Sequence, residues 1–173
     1  MDAMDIRNAV NSQFLAALAM LEQTIKRCPP DLWVDPHAED QFWQVAYHAL
    51  FYTHLYLQES ETAFRPWAKY RKDYHMLGPI PWEGNRMPDI GEPYTQAEVL
   101  EYLAFCGEEG QAKQAEMEFW GPSGFAWLPF TKLELQIYII RHLQQHTGEL
   151  GARLSSRGVE IGWVSTGAAQ EHE

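Results

Sequence analysis

The sequence predicts an all-α protein, a four-helix bundle with a long crossover between its second and third helices. Four segments carry apolar residues at three- and four-residue steps, which is the periodicity of an amphipathic helix. Stretches rich in proline and glycine, which helices avoid, separate these segments. With 173 residues, 46% of them hydrophobic, the chain is long enough for one well-buried core. We therefore predict one bundle domain over residues 1–157, followed by a C-terminal tail over residues 158–173.

The first two predicted helices are bounded by prolines. The first spans Ile6 to Arg27 and ends where a Cys-Pro-Pro sequence follows, because proline disfavours helical backbone in the residue before it. The second begins between Pro36 and Asp40 and continues to about Glu59. Its apolar residues extend around most of the helix, which predicts burial on several sides.

The third and fourth predicted helices each begin with a capping box, in which two side chains satisfy each other's free backbone amides. Thr95 and Glu98 form this pattern at the start of the third helix, which we expect to end near Phe119. Thr131 and Glu134 repeat it at the start of the fourth, which continues to about Arg157.

Three connecting segments complete the chain. Residues 65–94 form the crossover, which is rich in proline, glycine and aromatic residues. A disordered linker is the alternative, but its tryptophans and tyrosines favour packing on the bundle. Residues 121–129 are predicted to form a second aromatic loop, in addition to the crossover. The tail after Gly158 is predicted to be less ordered than the bundle.

Charge and cysteine content argue against several classes of protein. The formal net charge is −11 and the basic residues are scattered, whereas nucleic-acid binding needs a concentrated positive surface. Cys28 and Cys106 lie far apart with no CxxC spacing, which suggests reduced thiols and a cytoplasmic location. The chain contains no uncharged apolar stretch long enough to span a membrane. These features predict a cytoplasmic protein with neither nucleic-acid nor membrane partners.

Three histidines form the candidate metal site. His142 and His146 are four residues apart, so they project about 40° apart from one face of the fourth helix and can share a metal. His48 lies in the most apolar and aromatic segment of the chain. Burial of an unpaired imidazole costs about 1–3 kcal/mol, so His48 needs a partner. The alternative is a set of core histidines that are hydrogen-bonded to neighbouring residues.

Glu149 is the candidate catalytic residue. It follows His146 by three residues on the same helix face, where it could orient a ligand or accept a proton. A solvated carboxylate one turn beyond the site is the alternative interpretation. His54 lies about 120° around the helix from His48, and we expect it at the surface or the edge of the bundle. His75, in the crossover, is not assigned to the site.

The order of these elements resembles the DinB/YfiT-like superfamily of metalloenzymes. The resemblance covers about residues 6–154. Four features support it. They are the N-terminal amphipathic helix, the position of His48 after several aromatic residues in the second helix, the long crossover, and the pattern His142-xxx-His146-x-Gly148-x-Leu150 in the last helix. It implies an up-up-down-down bundle in which His48, His142 and His146 bind a divalent metal ion. Zinc or nickel is the metal that the resemblance favours, with iron or manganese as alternatives.

The resemblance also implies a range of functions. Family members include thiol-dependent S-transferases and metal-dependent hydrolases, so the expected substrate is a small molecule, such as a low-molecular-weight thiol. The resemblance also implies a homodimer. The family name does not imply DNA binding. The second hypothesis is a non-catalytic, homodimeric metal-binding helical protein in stress response, and the third is a metal-free bundle. An open coordination position would favour catalysis, because structural metal sites are usually closed by four protein ligands.

Overall fold

The computed structural model describes residues 3–167, and within that range the regular structure is entirely helical. This confirms the all-α prediction. The α-helices are α1 (Ala3–Lys26), α2 (Pro30–Trp33), α3 (Phe42–Leu57), α4 (Gln96–Glu116) and α5 (Lys132–Ser155). None of the described helices is both long and apolar enough to cross a membrane.

Helix boundaries differ from the predictions at three places. Helix α2 is a single turn that the sequence analysis missed, and it begins with Pro30, whose fixed φ suits the first helical position. Helix α3 begins at Phe42, later than predicted, because Gln41 has extended backbone angles. Helix α4 ends at Glu116 rather than near Phe119, because Met117 is extended. The predicted capping box of Thr95 and Glu98 is present in full.

Helices α1 and α3 lie diagonally across the bundle, and each packs against both α4 and α5. Helices α1 and α4 are antiparallel. The side-chain amide of Gln96, at the start of α4, donates to the carbonyls of Ile25 (3.1 Å) and Cys28 (2.7 Å) at the end of α1. At the opposite end of the bundle, Arg7 of α1 donates to the Met117 carbonyl at 3.1 Å.

The other long helices are related in a way that corrects the predicted topology. Lys132, at the start of α5, donates to the Gln58 carbonyl just after α3, so α3 and α5 are antiparallel. Helices α3 and α4 are parallel, because Trp43 packs beside Tyr94 at their starts and the Cys106 thiol reaches the Leu50 carbonyl farther along.

The four long helices therefore run up, down, down, up, and the up-up-down-down arrangement is wrong. The position of the crossover explains the difference. Residues 58–95 return the chain from the end of α3 to the start of α4, so these two successive helices must be parallel. The shorter connections on either side join antiparallel helices. An up-up-down-down bundle needs two long crossovers, one in each half of the chain.

The crossover packs on the bundle, as predicted. Trp67 is buried and stacks on Tyr102 of α4, with ring centroids 4.6 Å apart and an interplanar angle of 19°. Within the crossover, Arg86 forms an ion pair with the buried carboxylate of Asp73 at 2.6 Å. Aromatic burial holds the crossover on the bundle and the ion pair joins two parts of the crossover to each other, although Trp82 stays exposed.

The tail lies along α1. Residues 159–167 have no regular secondary structure, but the Gly162 amide donates to the Gln23 side chain at 3.0 Å and the Gly167 amide donates to the Ser12 carbonyl at 2.9 Å. A Cβ atom on Gly167 would lie 2.3 Å from the Cβ of Leu15, so a glycine is needed for this close approach. The prediction of a less ordered tail also covers residues 168–173, which lie outside the described residues.

Both cysteines are free and buried. Burial, with a smaller contribution from the Asp31 carboxylate, raises the pKa of the Cys28 thiol to about 12. Burial also raises the pKa of Cys106 well above its usual range. Neither thiol has the lowered pKa of a reactive cysteine.

Candidate metal centre

The fold brings together the three histidines that the sequence singled out. Helix α3 contributes His48, and α5 contributes His142 and His146. One ring nitrogen from each histidine lies within 4.8 Å of the other two. The Nε2 atoms of His48 and His142 are 3.3 Å apart.

Packing of α3 on α5 produces this grouping. In α5, Ile139, Leu143 and Leu150 are buried, so the face that carries both histidines is turned toward the neighbouring helices. In α3, Ala49 and Leu50 beside His48 are buried as well. The histidine spacing in α5 is helical and local, whereas its match to His48 depends on the antiparallel register of the two helices.

A backbone carbonyl of the crossover orients His48. The Nδ1 atom of His48 lies 2.6 Å from the His75 carbonyl oxygen. Since a carbonyl can only accept, Nδ1 carries the proton and Nε2 presents its lone pair to the other two histidines. Metal-binding histidines commonly have this arrangement, in which the second ring nitrogen donates to a carbonyl or carboxylate.

Glu149 does the same for His146. Its Oε2 atom lies 3.2 Å from Nδ1 of His146, and its other carboxylate oxygen accepts from Arg153. The carboxylate is therefore bound to the side of the imidazole that faces away from the Nε2 lone pair. Of the two roles predicted for Glu149, this contact supports orientation of a ligand, and its catalytic role stays a prediction.

His48 and His142 are held in the neutral state that metal binding requires. Burial lowers the pKa of His48 to about 3, although the bond to the His75 carbonyl opposes this shift. Burial, with a smaller electrostatic contribution from the adjacent His146, lowers the pKa of His142 to about 4. At neutral pH both rings are therefore uncharged and available as ligands.

The nitrogen positions fit a transition-metal ion. Two ligands at about 2.0–2.1 Å from zinc, in tetrahedral geometry, lie about 3.3 Å apart, which matches the separation of the His48 and His142 nitrogens. The nitrogens of the group are separated by up to 4.8 Å, about 1.5 Å more than in this tetrahedron, so a side chain must move to bring the third nitrogen into place. Among the described residues the group consists of three histidines, without a cysteine or carboxylate. Such a set leaves a coordination position open.

Two tyrosines border the centre. The ring of Tyr52 is 4.8 Å from that of His48 and 5.9 Å from that of His142. Burial raises the pKa of Tyr52 to about 12, so its hydroxyl stays protonated and can donate. Tyr138 lies parallel to His142 at an interplanar angle of 3°. The sequence analysis missed Tyr138, although its position four residues before His142 places it on the same helix face.

His54 and His75 differ from their predicted roles. His54 is buried, not at the surface, and its Nδ1 lies 3.0 Å from the Tyr102 hydroxyl. The prediction was wrong because α3 packs on α4 as well as on α5, so two of its faces are covered. His75 supplies its backbone carbonyl to the centre, and its ring stacks on Phe51 with centroids 3.9 Å apart.

Solvent reaches the centre unevenly. His48 and His142 are partly exposed, whereas His146 is buried. A polar cavity of about 470 Å³ lies next to Glu149, which contacts His146, and its wall also includes Asp40 and Arg153. The centre therefore has partial solvent access and a charged neighbouring cavity.

Comparison with models of protein families, with curated proteins and with solved structures identified no match for this chain. The resemblance to the DinB-like superfamily therefore depends on the residues and their arrangement alone.

Proposed function

We propose that this chain is a divalent-metal-dependent enzyme of the DinB-like type, with His48, His142 and His146 as the metal ligands. The convergence of three imidazoles carries the proposal. Two of them have Nδ1 bound to an acceptor, which turns Nε2 toward the common centre. The 3.3 Å contact between the Nε2 atoms of His48 and His142 can also be a hydrogen bond between two core histidines. A purely structural pair does not require a third imidazole, and His146 places its nitrogen within 4.8 Å of both.

Zinc or nickel is the metal that we propose first. An all-imidazole donor set suits zinc, nickel, iron and copper, whereas manganese, the remaining alternative, prefers oxygen ligands. The separation of 3.3 Å between the His48 and His142 nitrogens agrees with tetrahedral zinc.

The proposed reaction is transfer to a low-molecular-weight thiol or hydrolysis of a small molecule. A metal with an open position supplies Lewis acidity, which lowers the pKa of a bound thiol or water. The chain itself would hold the ligands, through the His75 carbonyl on His48 and through Glu149 on His146. Tyr52, protonated at neutral pH, would donate a hydrogen bond at the edge of the centre.

The alternative is a non-catalytic homodimer in which the metal stabilises the bundle. One observation favours it: Trp127 and Ile137 are large apolar residues that stay half exposed, at 50% and 56%. A subunit interface requires that such residues form one contiguous apolar patch, and a patch around these two is the hypothesis to test. Sedimentation analysis of wild type and of Ile137→Lys tests the dimer, and both hypotheses place the protein in the cytoplasm.

Elemental analysis tests the metal site directly. We would purify wild type, His48→Ala and His142→Ala without a nickel column, together with His37→Ala as a control at an exposed histidine outside the site. The expected result is near-stoichiometric metal in wild type and in the control, with metal lost from the two site variants. Absence of metal from wild type, even after incubation with zinc or nickel, would refute the proposal.

A further inference from the structure

A chain of hydrogen bonds continues outward from His146 beyond Glu149. The Glu149 carboxylate uses one oxygen for His146 and the other for Arg153. Arg153 in turn donates to the backbone carbonyl of Asp40 at 2.6 Å. Asp40 precedes α3, the helix that carries His48, so these bonds connect the two helices that form the centre.

Each bond in this chain restricts the next group. Glu149 and Arg153 follow His146 by three and seven residues, so all three project from neighbouring turns of one face of α5. A carboxylate with one oxygen bound to each neighbour cannot rotate without losing both contacts. The guanidinium is held in turn by a backbone carbonyl outside α5, which no rotation of the α5 side chains can displace.

We propose that Arg153 is a positioning residue that acts through Glu149 on His146. It holds the carboxylate where Nδ1 of His146 must donate, so that the Nε2 lone pair faces His48 and His142. The inference rests on the proposed metal-binding function. Arg153 itself does not join the ligand group, and it contributes by fixing the tautomer and orientation of one ligand. His48 needs no comparable side chain, because a backbone carbonyl orients it.

The neighbouring Arg157 provides a matched control. It lies four residues beyond Arg153, in the turn just after the end of α5, lines the same cavity and pairs with the Asp31 carboxylate at 2.9 Å. Among the described residues, Arg157 forms no hydrogen bond or ion pair with Glu149 or with the histidines. Arg157→Met therefore removes the same charge and a similar ion pair, without affecting the bonds that lead to His146.

The experiment measures zinc affinity by competition with a chromophoric chelator. Loss of a group that orients a metal ligand commonly weakens binding by 10–100-fold, so we expect a loss in this range for Glu149→Ala. Because Arg153 acts one bond farther away, we expect Arg153→Met to weaken binding by about 3–10-fold and Arg157→Met by less than about twofold. In the Glu149→Ala background, Arg153→Met should have no further effect.

A second measurement does not depend on metal. In metal-free protein, the ¹⁵N chemical shifts of the His146 ring should show the Nδ1–H tautomer in wild type and in Arg157→Met, and a mixture of tautomers in Arg153→Met. Equal tautomers in the two arginine variants, or affinity losses that add fully in the double variant, would overturn the inference. If wild type binds no zinc, the proposed function fails, while the tautomer measurement still decides whether Arg153 orients His146.

Discussion

His54 is expected to make the free energy of unfolding fall on acidification. Its side chain is buried against α4, where the charges of Glu109 and Lys113 act on its pKa in opposite directions. Burial lowers the pKa of His54 from 6.5 to about 4. Between these values the unfolded chain binds more protons than the folded protein, so stability decreases as the pH falls through this window. Integration from pH 7 to pH 4.5 gives a loss of about 2 kcal/mol from this one residue.

Replacement of His54 by glutamine isolates this effect, because glutamine does not titrate and can still bond to the Tyr102 hydroxyl. We would measure urea unfolding of metal-free wild type and His54→Gln at pH 7 and at pH 4.5. The decrease in the free energy of unfolding between the two pH values should be about 2 kcal/mol smaller in the variant. His37→Gln, at an exposed histidine, should behave like wild type. An identical pH dependence in wild type and His54→Gln would refute the argument that burial keeps His54 neutral.

Three further predictions concern packing and metal binding. In α4, a Cβ atom at Gly110 would lie 2.2 Å from the Phe14 ring, whereas one at Gly107 has its nearest contact at 3.7 Å. Urea unfolding should therefore show that Gly110→Ala destabilises the protein by about 1–3 kcal/mol. Gly107→Ala should be neutral or stabilising by up to about 1 kcal/mol. Equal effects of the two substitutions would contradict this packing. Gly167→Leu should detach the tail from α1 and speed its removal by proteases, as followed by mass spectrometry. Gly78→Leu, at a crossover glycine where a Cβ atom would meet nothing within 4 Å, should affect tail removal much less. Zinc at 100 times its dissociation constant should stabilise wild type by about 2.7 kcal/mol and leave His142→Ala unchanged in thermal unfolding; equal stabilisation of both would place the bound zinc elsewhere.

The candidate site was partly predictable from sequence. His142 and His146 were identified because helical spacing is a local property, and His48 because an imidazole in an apolar segment needs a partner. The groups that orient these ligands were harder to predict. Every residue carries a carbonyl, so nothing in the sequence distinguishes the carbonyl of His75, which accepts from His48. Arg153 was missed for a related reason, because its second partner, the Asp40 carbonyl, lies 113 residues away along the chain.

The sequence by itself determined the four long helices and the start of α4, because periodicity, prolines and caps act over a few residues. Tertiary structure decided the helix directions, the burial of His54 on the α4 side of α3, and the meeting of His48 with the histidine pair. These features depend on contacts between residues that are distant in the chain. Such contacts form only when the helices pack together, and the crossover over residues 58–95 makes α3 and α4 parallel, which sets the arrangement of the whole bundle.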